Sequence, residues 1–93
     1  MSVVIVGGHD RMVSQYKQIC KQFRWKPKVF TQNPTRFKEQ IGCPDLVILF
    51  TSTVSHKMVI AAVQQAEKNG VPIARSHSSS AQALKDILSA HSA

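Results

Sequence analysis

Ninety-three residues, 43% of them apolar, suit one small domain and are too hydrophobic for a disordered chain. No apolar run approaches the ~20 residues of a membrane helix, and the start, MSVVIVGG, lacks the basic region of a signal peptide, so a cytoplasmic location without membrane contact is expected. The net charge is +7, and eight of the twelve Lys and Arg residues fall between Arg11 and Lys38, an asymmetry that suits either a solvated basic face or an anionic partner.

Along the chain, short apolar runs alternate with helical patterns. SVVIVGG reads as a first strand ending in glycines. Between Arg11 and Phe23, apolar Met12, Tyr16, Ile19, Cys20 and Phe23 recur at helical spacing. WKPKVF is a second extended run. NPTRFKEQIG offers Pro34 near a helix start, Thr35 as its cap and Gly42 as its stop. PDLVILF is a third strand, and Ser55 to Asn69 forms a helix with Val59, Ala62, Val63 and Ala66 on one side, closed by Asn-Gly. VPIA is a fourth strand. The last helix runs from about Ser80 to Ala90 with Leu84, Ile87 and Leu88 inward, and His91 falls in the tail.

Strand–helix alternation repeated four times predicts an α/β fold with a parallel sheet. Pro27 and Pro72 place the second and fourth runs at sheet edges, whereas the proline-free first and third runs belong in the centre. The expected architecture is a small flavodoxin-like (Rossmann-like) three-layer sandwich, a four-stranded parallel sheet of order 2-1-3-4. Right-handed crossovers put the first and fourth helices on one face and the second and third on the other. At this size only about 60–65% of the chain's surface is buried, so a homo-oligomer is expected.

Such sheets bind ligands beyond the carboxyl ends of their strands, where the strand order reverses. The loops that reach this point are GGHD (Gly7 to Asp10) and TSTVSH (Thr51 to His56), with RSHSSS (Arg75 to Ser80) beside them. Three of the four histidines, His9, His56 and His77, lie in these loops. The candidate ligand-binding residues are Gly7, Gly8, His9, Asp10, Thr51, Ser52, Ser55, His56, Arg75, His77, Ser78 and Ser79. Glycines permit close backbone approach, helix starts and Arg75 attract oxyanions, and serines supply hydroxyls. The plainer reading of the serines is that one caps the last helix and the rest only tolerate the turn.

The same residues admit other chemistries. His9, His56 and His77, with Asp10, are candidate ligands for a divalent metal, and one histidine is a candidate axial ligand for haem. The spacing matches no local metal signature. No GxSxG elbow, Walker loop or GxGxxG is present, so hydrolase and dinucleotide readings lack support. The first loop also lacks the cysteine that phosphotransfer domains of this topology use as nucleophile. Cys20 belongs to the apolar stripe of the first helix, and Cys43 lies at the wrong end of the sheet. Phe23 and Trp25 flank Arg24 in the basic segment, an arrangement that would let nucleic acid stack there.

VIVGGHDR, PDLVILFT, VSHKM and RSHSSS together resemble the short bacterial proteins of domain of unknown function 2325, over nearly the whole chain. The resemblance implies a bacterial cytoplasmic protein of flavodoxin-like fold and carries no activity with it. It rests on Gly7, Gly8, His9, Asp10, Arg11, Thr51, Ser55, His56, Lys57, Arg75, Ser76, His77 and the serines after it, which lie in or directly beside the same three loops. The leading expectation is a binding or sensor module, not necessarily an enzyme, for an anionic small molecule such as a phosphate or nucleotide. The alternatives are a histidine-ligated metal or haem sensor, and a nucleic-acid binder acting through Arg11 to Lys38.

Overall fold

Five consecutive apolar residues build strand β3 (Leu46–Phe50), and all five are buried. Only a central strand covered on both sides buries such a run. The computed structural model, which describes residues 1–91, places β3 beside β1 (Ser2–Val6), with β2 (Lys26–Phe30) and β4 (Ile73–Ser76) outside them. The sheet is parallel throughout and its order is β2-β1-β3-β4. Both edge strands are only partly buried.

Alternation along the central strands feeds two cores. Val3, Ile5, Leu46, Ile48 and Phe50 pack against α1 (Val13–Gln22) and α4 (Ala81–His91), where Tyr16, Ile19, Cys20, Leu84 and Leu88 meet them. Val4, Val6, Val47 and Leu49 pack against α2 (Phe37–Ile41) and α3 (His56–Lys68) through Phe37, Ile41, Met58, Ala62 and Ala66. Each buried Val, Leu or Ile side chain contributes about 1.5–3 kcal/mol. The three-layer arrangement and the pairing of helices agree with the sequence expectation. Burial pushes the Cys20 thiol up to about 11, so this cysteine is core and not a nucleophile. Cys43 is exposed at the amino end of the sheet.

Four local expectations are corrected. The fourth strand is Ile73–Ser76 and not VPIA, because pairing of Val47 with Ile73 through Phe50 with Ser76 carries it to the end of β3. Pro72, with no N–H, contributes only its carbonyl, which accepts from the Val47 amide at 3.0 Å. Thr35 does not cap α2: Arg36 holds that position in the left-handed region, φ 58°, without a side-chain cap bond. The first helix opens with a 3-10 turn (Asp10–Met12) before α1. His91 is the last residue of α4 and not part of a tail.

Candidate functional site

The carboxyl ends of the strands deliver three loops to one end of the molecule. After β1, Gly7 donates its amide to the Phe30 carbonyl at 2.9 Å and turns with φ +103°. A Cβ at Gly7 would lie 2.9 Å from the Phe50 carbonyl oxygen, so only glycine fits this approach to β3. Gly8 follows with φ +91°, and its amide donates to Thr53 Oγ1 at 2.7 Å. A Cβ there would stand 2.7 Å from Tyr16 Cε2.

Tyr16 is the pin of this end. It is buried against Phe50, with ring centroids 5.5 Å apart, and its hydroxyl donates to the Ser79 carbonyl at 2.6 Å. A buried tyrosine hydroxyl needs such a partner. The loop after β3 is joined to the loop after β4 by the Thr51 amide and the Ser76 carbonyl, 2.8 Å apart, and by Ser52 Oγ donating to the His77 carbonyl at 2.5 Å. Gly8, Thr53, Ser52 and Tyr16 therefore lock the three loops into one unit.

Most of the serines are occupied by this scaffold. Ser55 caps α3, accepting from the Met58 amide at 3.3 Å, and Ser80 caps α4, accepting from the Ala83 amide at 3.1 Å. Ser78 Oγ donates to Ser80 Oγ at 3.1 Å, while Ser76 Oγ donates to the Ser78 carbonyl at 2.7 Å. Thr51 Oγ1 makes a long contact of 3.4 Å to the Ser76 carbonyl. The plainer reading of the serine run therefore holds for Ser78 and Ser80, and among the described residues the Ser79 hydroxyl has no partner.

Asp10 is tied to the loop after β2. Its carboxylate accepts from Thr31 Oγ1 and, at 3.3 Å, from Gln32 Nε2 in the loop after β2. Among the described residues no three His, Cys, Asp or Glu side chains converge as a metal site, so His9, His56, His77 and Asp10 do not form the set that the sequence suggested. Arg75 lies within β4, not in the loop after it, and shares the α3-side face of the sheet with Ile73. His9, His56, Arg75 and His77 are exposed. Among the described residues their side chains form no hydrogen bond or ion pair.

This end therefore combines a rigid backbone frame with four unpaired cationic or protonatable side chains. The starts of α3 and α4 add amide donors that have no partner within their helices. Sequence reasoning missed Thr53 and Tyr16. Thr53 lies in the loop after β3, but its role depends on an amide 45 residues away. Tyr16 did carry a signal, since it is a hydroxyl on an otherwise apolar stripe.

Among solved structures, a de novo designed Rossmann fold protein is similar in fold, with a TM-score of 0.65 and 14% identity over 97% of this chain and 95% of that chain. No curated protein matches the sequence. The family model described as an uncharacterized protein conserved in bacteria, DUF2325, matches residues 2–91, and the chain belongs to that family.

Proposed function

We propose that the carboxyl end of the sheet binds an anionic small molecule carrying a phosphate or carboxylate group. The observation that carries this reading is the set of unpaired side chains, His9, His56, Arg75 and His77, on a frame whose other polar groups bond mainly to one another. Arg75 matches an oxyanion bidentately, and the amides at the starts of α3 and α4 add donors of the same sign. Among the described residues the Ser79 hydroxyl has no partner and adds a donor. Ser52 and Ser78 donate within the loops and shape them, and Ser55 caps α3.

Thermal unfolding of tag-free protein against inorganic phosphate, nucleotides, zinc and haem tests this. A ligand at about 100 times its dissociation constant adds about 2.7 kcal/mol of stability. The expected result is a rise with phosphate or a nucleotide that Arg75→Ala and His77→Ala each reduce. A rise with zinc or haem alone, or with no ligand at all, would remove the anion reading.

A further inference from the structure

Between Arg11 and Lys38 the chain carries eight Lys and Arg and no Asp or Glu, while the other four cations are offset by all five acids. The fold brings five of the eight to one edge of the sheet. Lys17 and Lys21 stand one turn apart on the exposed side of α1, and Arg24 sits in the turn that follows. Lys26 and Lys28 alternate with Pro27 along the edge strand β2. Lys17, Pro27 and Lys28 share a shallow concavity of about 340 Å³, and Lys21, Arg24 and Lys26 share another of about 320 Å³. The five cations thus flank the β2 edge, Lys17, Lys21 and Arg24 from the α1 side and Lys26 and Lys28, which share the face of Phe30, from the α2 side, and together they form a band around that edge.

Lysines and a proline on an edge strand guard it against aggregation. That role accounts for Lys26, Pro27 and Lys28 but not for the stripe on α1 or for Arg24. Lys28 Nζ donates to the Gln40 carbonyl at 2.9 Å, whereas among the described residues Lys17, Lys21, Arg24 and Lys26 have no side-chain partner. Arg24 is also held at φ 62°, in the turn position that Gly70 takes after α3 with φ 65°. A non-glycine residue there costs about 1–2 kcal/mol, and here the result is a guanidinium at the corner of the band.

We propose that this band docks on the phosphate backbone of a nucleic-acid duplex. A duplex carries one charge per about 3.4 Å of axis in each strand, so a molecule 28 Å across faces roughly eight phosphates of one strand. A single strand needs exposed aromatic rings on which bases stack. Trp25 is only 3% exposed and Phe23 packs on the α1 core, so the stacking role expected from their sequence positions is not available. Bases already stacked in a duplex require no such platform, and contact with phosphates alone carries no sequence preference.

The test is fluorescence anisotropy with a labelled 20-base-pair DNA of mixed sequence between 50 and 200 mM salt, with a single strand of the same length and anionic vesicles as competitors. Four phosphate contacts give a slope of log affinity against log salt of about −4. Lys17→Glu with Lys21→Glu is expected to lower affinity at least tenfold. Lys17→Gln with Lys21→Gln, which removes the charge and keeps a flexible polar side chain, should bring the slope to about −2. Lys68→Glu with Lys85→Glu, which changes net charge equally elsewhere, should have much the smaller effect. No duplex binding at 50 mM salt, equal losses in both charge-reversed pairs, or preferential capture by the single strand or vesicles would overturn the proposal.

Discussion

At Gly8 the backbone is left-handed, the amide is bonded to Thr53, and the ring of Tyr16 fills the space that a side chain would need. Gly8→Ala combines a disfavoured φ with overpacking, so a loss of about 2–4 kcal/mol in chemical denaturation is expected. Tyr16→Phe removes the bond to the Ser79 carbonyl and the long contact to Met12 Sδ, and should cost about 1 kcal/mol. If Gly8→Ala proves as stable as the parent, the loops are not locked as described. The two glycines were legible in the sequence because a glycine pair after a buried strand signals a backbone turn. The tyrosine's part was not, because its partner lies 63 residues away. The partners of Asp10 were not legible for a similar reason, since Thr31 and Gln32, which donate to its carboxylate, lie 21 and 22 residues away.

Helices α1 and α3 end in the same way. After α1 the Arg24 amide donates to the Lys21 carbonyl at 3.0 Å and the Trp25 amide to that of Cys20 at 2.8 Å. After α3 the Gly70 amide donates to Glu67 at 3.2 Å and the Val71 amide to Ala66 at 2.8 Å. Buried Trp25 and Val71 then pack back onto their own helices. Gly70→Ala is therefore expected to cost about 1 kcal/mol, and Arg24→Gly to gain about as much, measured by urea midpoints. An unchanged or lower midpoint for Arg24→Gly would mean that its left-handed turn carries no penalty. Helix α3 was legible almost to the residue, from its serine cap to Asn-Gly, because both signals are local. Strand β4 was displaced by two residues because a short edge strand takes its limits from its neighbour's ladder, which its own sequence does not encode.

For the whole molecule, the strand order was legible because two prolines and two unbroken apolar runs separate edge from centre. The gathering of His9, His56 and His77 at one end follows from that order. What the order could not give is which polar groups the scaffold consumes, and that decides the site. The two edges of the sheet also differ. β2 is guarded by two lysines and a proline within it, whereas β4 has only Arg75 and the Pro72 before it, so we propose that copies of the chain associate across β4. Sedimentation velocity at tens of micromolar should then show a dimer, and a monomer at that concentration would contradict it.

The carboxyl end and the basic β2 edge are separate surfaces, and one titration distinguishes them. Amide chemical shifts of ¹⁵N-labelled protein, followed while inorganic phosphate and then a nucleotide are added, report where the anion sits. The expected result is saturable movement at Gly8, Thr53, His56, His77 and Ser79, with little change from Lys17 to Lys28. Movement confined to Lys17 through Lys28, or none at the three loops, would contradict the anion site.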